Sequence, residues 1–241
     1  MTDPAAQKRD GGAIDLSILM PAYNEQETIE RAIERVLDAK YPVERWELVV
    51  VENGSTDGTR RILHERSWPE QVRIVELDVN RGKGAGVRRA LAEARGAYSA
   101  ILDADLEYEP AEIGNLLEPL LAGDADAVFG TRLFQSHSAY GFWYVVGNRG
   151  INLAANALYN AWISDILNCL KVVPTREFRA LGLTEDGFGI DAEIPARLLR
   201  RGAVIYEVGV TYRARTRAEG KKLTVFDGLR VLRTLLRCRF V

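Results

Sequence analysis

Cysteine and histidine are scarce in this sequence, with two of each among 241 residues. Cys169 and Cys238 form neither a C-x-x-C pair nor a disulfide framework, and a reducing cytoplasm suits them. Neither histidine has a partner at metal-ligand spacing, which argues against zinc. No run reaches 18 uninterrupted apolar residues, so no membrane-spanning helix is expected. A formal net charge of -2 supplies no broad positive field, and nucleic acid is not an expected partner. The start, MTDPAAQKRDGG, is polar and unlike a signal peptide; residues 1–13 read as a disordered tail. What remains is ordinary soluble-protein material, 47% hydrophobic and 27% charged, enough for one domain with a real core.

Along the chain, short apolar runs alternate with segments of helical spacing. LSILM (16–20), ELVVVE (47–52), VRIVEL (72–77), YSAIL (98–102) and DAVFG (126–130) read as strands. Between them, Ile29, Ala32, Ile33, Val36 and Leu37 recur at helical steps, as do Val87, Ala90, Leu91 and Ala94. This rhythm predicts an α/β fold with a mainly parallel, Rossmann-like sheet. The second half is less regular: a helix-rich aromatic stretch at 141–163, a strand within 166–173, a helix over 190–202 and a strand within 203–215. No linker divides the chain, so one domain over 14–222 is expected, followed by a C-terminal amphipathic helix over 223–241.

In an open parallel sheet, ligands sit beyond the carboxyl ends of the strands. Four polar loops fall there: PAYNE, ENGSTDGT, NRGKGAG and DADLE. Each alone has a plainer reading. Asn24 suits a helix cap, STDGT suits another, and NRGKGAG suits either close packing or a phosphate cradle. The last loop is the most pointed. Asp103 and Asp105 follow a strand two positions apart, and residues i and i+2 of a strand share a side. Two carboxylates so placed make a hard-oxygen site for Mg²⁺ or Mn²⁺ with positions left for phosphate oxygens. Aspartates also follow strands as simple turn formers.

As an ordered set, LSILMPAYNE, VVVENGSTDGT, NRGKGAG, DADLE, GTR (130–132), GNRG (147–150), GIDAEI (189–194) and YRARTRAEGKK (212–222) resemble the family 2 glycosyltransferases of GT-A fold. Within that family the similarity is to the dolichyl-phosphate mannose synthase and polyprenyl-phosphate glycosyltransferase group. The resemblance implies that Pro21, Tyr23, Glu25 and Glu52 hold the nucleoside of a GDP- or UDP-linked sugar. It places Lys83 and Asp103 among the donor contacts, and Asp103, Asp105 and Glu107 as the ligands of Mg²⁺ or Mn²⁺. Arg132 and Arg149 look like the basic pair that receives an acceptor phosphate. Arg215, Lys221 and Lys222 look like the late loop that closes on the donor's phosphates. Family members usually carry two aspartates where this chain has Glu52-Asn53.

The chemistry of the acceptor separates two readings. A phosphate monoester has a second pKa near ~6, so it attacks as a dianion without a general base. A hydroxyl acceptor needs a carboxylate to take its proton, and Asp191 and Glu193 are the candidates. On a helix, positions i and i+2 diverge by roughly 200°, so only one of them can face a site. Both are also the helix-start acids that a helix dipole favours.

The final helix carries Val225, Leu229, Leu232 and Leu236 on one face and Arg230, Arg233 and Arg237 on another. The apolar face either packs on the sheet or meets a membrane surface or a membrane-anchored partner. The expected activity is inverting, metal-dependent transfer of a hexose, mannose or glucose foremost, from a nucleotide sugar to a polyprenyl phosphate. It is placed in the cytoplasm or at the inner face of the membrane. The alternatives are the same donor chemistry with a hydroxyl acceptor, and a nucleotide-sugar binding module without turnover.

Overall fold

The computed structural model describes residues 14–132, 142–213 and 225–240. The tail at 1–13 and the late-loop residues Arg215, Lys221 and Lys222 lie outside these described residues.

Seven strands form one sheet in the order β3-β2-β1-β4-β6-β5-β7. β1 (Leu16–Ala22) and β2 (Trp46–Asn53) are apolar runs buried almost throughout, as strands covered on both faces must be. β3 (Val72–Leu77) pairs with β2, and β4 (Tyr98–Ile101) with β1, all in parallel register. Parallel strands need crossovers, supplied by α1 (Ile29–Asp38), α2 (Thr59–Glu65) and α3 (Lys83–Glu93). Beyond β4 the order changes. A 3₁₀ turn (Pro110–Glu112) and α4 (Ile113–Ala122) lead to β5 (Ala127–Thr131), and α5 (Phe142–Tyr159) follows. β6 (Lys171–Pro174) then inserts antiparallel between β4 and β5. After α6 (Thr175–Ala180) and α7 (Ile190–Arg200), β7 (Ile205–Gly209) closes the edge parallel to β5, and α8 (Val225–Phe240) ends the described chain.

The strand period of two divides the core into two layers. Leu16, Ile18, Met20, Leu48, Val50 and Val128 face α1 and α4, while Leu19, Val49, Val51, Ile101, Phe129 and Val173 face α3, α5, α7 and α8. Each fully buried Leu or Ile contributes roughly 1.5–3 kcal/mol, so the sheet is a rigid base for the loops at its carboxyl edge. The predicted apolar stripe of α8 is corrected in part: Leu232 packs against the core, but Leu229 and Leu236 point to solvent, and the residues the helix buries are Val231, Thr234, Leu235 and Cys238. α5 and α8 run alongside each other: Gly228 sits by Ile151, and the Tyr159 hydroxyl donates to the Leu235 carbonyl at 2.7 Å.

Candidate active site

The loops after β1 and β2 are stitched to each other. Asn24 adopts a left-handed backbone (φ 54) and accepts the Thr56 N–H at 2.8 Å, while its own N–H donates to Ser55 Oγ at 3.0 Å. Asn24 therefore bridges two loops and does not cap α1. Asp57 does serve the start of α2, accepting from the Thr59 N–H at 2.9 Å and its hydroxyl at 2.6 Å. Burial raises the Asp57 pKa, but these bonds and one from the Gln26 N–H outweigh it and hold the carboxyl below the usual range. Pro21 is buried at the end of β1, Tyr23 is half-buried, and the Glu25 carboxylate accepts the Thr28 hydroxyl at 2.9 Å. Glu52 is fully buried and accepts from Ser55 N–H at 2.6 Å and Arg60 Nε at 2.7 Å. Burial pushes the Glu52 pKa up, yet Ser55 and Arg60 together bring it below the ordinary value. Asn53 ties β2 to the next loop, its amide donating to the Gly82 carbonyl at 2.9 Å.

Two glycines of the NRGKGAG loop serve close packing. A Cβ at Gly82 would stand 2.4 Å from the Asp186 carbonyl oxygen, and one at Gly84 2.2 Å from that of Glu185. Gly82 also has φ 95, a region that side chains disfavour. The two glycines thus admit the backbone before α7, which the Ala85 N–H holds by donating to the Asp186 carbonyl at 3.1 Å.

Lys83, between those glycines, reaches inward. Its ammonium donates to Asp103 Oδ2 at 2.8 Å and to Asp191 Oδ2 at 3.0 Å. Burial alone would lower its pKa, but the flanking carboxylates outweigh that and hold it well above the usual lysine value. One cation so joins the ends of β4, α3 and α7. Asp191 is buried, and its Oδ1 has no hydrogen-bond partner among the described residues. Glu193 points elsewhere, as helix geometry requires. It accepts from the Thr184 and Glu185 N–H groups and from Arg197.

Asp105 and Glu107 sit on the turn after Asp103. The Glu107 N–H donates to Asp105 Oδ1 at 3.1 Å, and Leu106 between them takes φ 62. A bulky residue in that region costs on the order of 1–2 kcal/mol, so the turn is held by its surroundings. Arg35 does part of this, reaching the Leu106 carbonyl at 3.4 Å and pairing with Glu109. Glu107 Oε2 accepts the Tyr212 hydroxyl at 2.7 Å, and Tyr108 bridges to Tyr212 in antiparallel fashion.

Arg132 lies on the far side of Tyr212, its guanidinium 4.9 Å from the ring centroid. Its Nε and a terminal nitrogen each meet an Asp165 oxygen at 2.6 Å, a bidentate fork. Arg149 is exposed on α5. The sequence reading missed Asp165 and also Lys171, a charge inside the run CLKVV that is fully buried against the Phe129 ring. Burial pushes the Lys171 pKa down, and Asp191 opposes that only in part.

The carboxylates expected to hold a divalent cation are Asp103, Asp105 and Glu107; Asp103 meets Lys83, and Glu107 accepts the Tyr212 hydroxyl with one of its oxygens. Among the described residues no three acid, histidine or cysteine side chains converge as a ready-made cluster. Carboxylates on one short turn fit Mg²⁺ or Mn²⁺ whose shell is completed by phosphate oxygens and water, and do not fit an all-protein cage.

Residues 17–174 match the family model described as Glycosyl transferase family 2. The chain is 33% identical over 197 residues to Glycosyltransferase AglJ of Haloferax volcanii, covering 81% of this chain and 62% of that protein. It is 26% identical over 228 residues to the dolichol-phosphate mannosyltransferase of Pyrococcus furiosus, covering 92% of this chain and 64% of the other. The chain therefore spans less than two thirds of either relative's length. Its fold matches glucosyl-3-phosphoglycerate synthase of Mycobacterium tuberculosis, solved with Mn²⁺, UDP and glucosyl-3-phosphoglycerate. The TM-score is 0.70 at 22% identity, over 95% of this chain and 81% of that one.

Proposed function

This chain belongs to glycosyl transferase family 2, and from that premise we propose that it transfers a hexose from a nucleotide sugar to a polyprenyl phosphate at the cytoplasmic face of a membrane. The observation that carries the reading is the placement of Arg132. Its guanidinium stacks on Tyr212, whose hydroxyl holds Glu107, two residues from Asp105. Through Tyr212 and Glu107 this arginine is linked to the turn that carries Asp105, and its fork, held by Asp165, is of the shape that binds phosphate oxygens, which supports an anionic acceptor.

In this reading the loops after β1 and β2 receive the nucleoside, with Pro21, Tyr23, Glu25 and Glu52 around it. Asp103 and Asp105 would hold Mg²⁺ or Mn²⁺, which offsets the charge of the diphosphate leaving group. Lys83 adds a fixed positive charge at the same edge, already oriented by Asp103 and Asp191. Arg132 and Arg149 orient the acceptor phosphate, and Arg215, Lys221 and Lys222 close over the donor. A phosphate oxygen attacks the anomeric carbon as the bond to the nucleoside diphosphate breaks, in one in-line displacement with inversion. An α-linked donor gives a β-linked product, and no side chain has to remove a proton.

The buried Asp191 Oδ1 favours one second reading, in which a hydroxyl acceptor gives its proton to Asp191. One experiment separates the two. The protein is incubated with Mg²⁺ or Mn²⁺, a panel of radiolabelled nucleotide sugars, and undecaprenyl or dolichyl phosphate. Label entering the organic phase, and lost with EDTA, is the expected result and identifies the donor. Nucleotide binding without such label would move the assignment to a hydroxyl acceptor or to binding alone.

A further inference from the structure

At the end of α7 remote from Asp191, three arginines line one cavity. Arg197, Arg200 and Arg201 surround, together with Leu181, an open cavity of about 270 Å³. A rise of about 1.5 Å per residue puts this end of the helix roughly 14 Å from Asp191. Here the chain turns from α7 into the start of β7, and β7 runs parallel to β5. The cavity therefore lies at the amino edge of those strands, opposite the edge that carries Lys83, Asp103 and Asp105.

A plainer role accounts for part of this. Arg201 donates to the Ala180 carbonyl at the end of α6, Arg197 to that of Leu181 at 3.2 Å, and Arg200 to that of Cys238 on α8 at 2.8 Å. Cations suit helix carboxyl ends. Capping explains where each head is held, but not why the three share one cavity. Arg197 meets Glu193 at 2.8 Å, and that carboxylate is fully buried and also takes the Thr184 and Glu185 N–H groups. Among the described residues Arg200 and Arg201, both exposed, form no ion pair. One spent anion thus stands against three cations, and like charges gathered at one cavity repel. A guanidinium has five N–H donors, so one backbone bond each leaves Arg200 and Arg201 with most of theirs unspent.

We propose that this cavity is a second anion site, which binds a compact phosphate-bearing ligand through Arg200 and Arg201, with Arg197 shared between that ligand and Glu193. Planar guanidinium forks match the oxygens of a phosphate two at a time, and several forks on one cavity give the charge and the donors such a group needs. The volume limits the ligand. Sites for drug-sized molecules run from roughly 300 to 1,000 Å³, so this smaller one suits a phosphomonoester or a diphosphate and not a whole nucleotide sugar. The ligand is therefore distinct from the donor, and the site is distinct from the edge where the donor's diphosphate is placed.

The test is calorimetric titration of the full chain with pyrophosphate and with inorganic phosphate, in EDTA and excess UDP so that the donor edge does not compete for the probe. The expected result is one pyrophosphate bound per chain, more weakly as salt is raised. Arg200→Gln with Arg201→Gln should weaken that binding at least about tenfold, and Asp105→Ala should leave it unchanged. Should the double variant fail to fold, Arg201→Lys keeps the charge, loses the fork and should still weaken binding about threefold. Glycerol 3-phosphate, titrated in the same way, stands for a lipid headgroup. Tighter binding of it than of pyrophosphate assigns the site to a headgroup, and the reverse order assigns it to a free anion; either supports a phosphate site. Absence of binding by all three probes would overturn the proposal, as would binding that the arginine variants leave intact. Binding lost with Asp105→Ala would place the anion at the donor edge and overturn it too. No readout uses the acceptor or the donor sugar, so failure of the transferase reading would leave this site standing.

Discussion

The first four strands and the last three build one sheet by different means. From β1 to β4 every pairing is parallel, and the loops at the carboxyl edge are fixed by short bonds between neighbouring loops, such as Asn24 to Thr56 and Asn53 to Gly82. From β5 onward a reversed strand is inserted, and the site is fixed by charged pairs between distant segments. Arg132 with Asp165 and Lys83 with Asp191 are the main ones. The first region ties its loops mainly through amides and hydroxyls, with Glu52–Arg60 as a buried charged pair, whereas the second relies on charged pairs that span distant segments. Loss of a neutral loop bond should be local and modest. Loss of one partner of a buried pair leaves an uncompensated ion and should be felt throughout the fold.

The largest expected effect lies where the two regions meet. Asp105→Ala should lower transfer by at least about 10²-fold, the scale seen when one electrostatic stabiliser is removed, with the melting temperature little changed. Activity near wild type in Mg²⁺ would remove Asp105 from the metal site. Next comes Asp165→Ala, which removes the carboxylate that takes both arms of the Arg132 fork and should cost about 3–5 kcal/mol in urea unfolding. Arg132→Ala should also raise the KM for the acceptor far more than that for the donor, and the reverse split would reassign it. Against these, Asn24→Ala should cost only about 1 kcal/mol. Equal losses from Asn24→Ala and Asp165→Ala would erase the contrast between the regions.

The smallest effect concerns pH. The Lys171 pKa in the fold lies below its ordinary value of 10.5, first because it is buried. Between those two values the unfolded chain binds a proton that the native chain lacks, so stability from this residue rises as pH increases through that window. Urea midpoints at neutral and alkaline pH should show that rise in wild type. Lys171→Met should lack it, and a parallel response in both proteins would point to another group.

Much of the first region was legible because its signals are local. A helix turn of 100° sent Asp191 and Glu193 apart, and that holds in the structure; β4 ends at Ile101, so Asp103 and Asp105 lie on the turn beyond it, where the strand period of two does not reach. The charged pairs of the second region were not legible, since nothing in spacing joins Arg132 to Asp165 or Lys83 to Asp191. The reversal of β6 was hidden as well, because a four-residue run such as KVVP carries no direction. α8 misled for a different reason. Its sequence has two apolar faces, and periodicity alone cannot choose which one a neighbour will cover.

The contact of Gly84 with the Glu185 carbonyl has a consequence for genetics. A single methyl at position 84 would stand inside that oxygen's radius. The segment cannot simply retreat, because Glu185 is fastened from the other side by Thr234 and Arg237. Gly84→Ala therefore works as a wedge between α3 and α7, adding no charge and deleting no functional group, while moving Lys83 relative to Asp191. Such a lesion weakens a protein by strain that heat resolves into unfolding. It is a rational starting point for a heat-sensitive allele, one that would let the enzyme be switched off in a living cell by temperature alone.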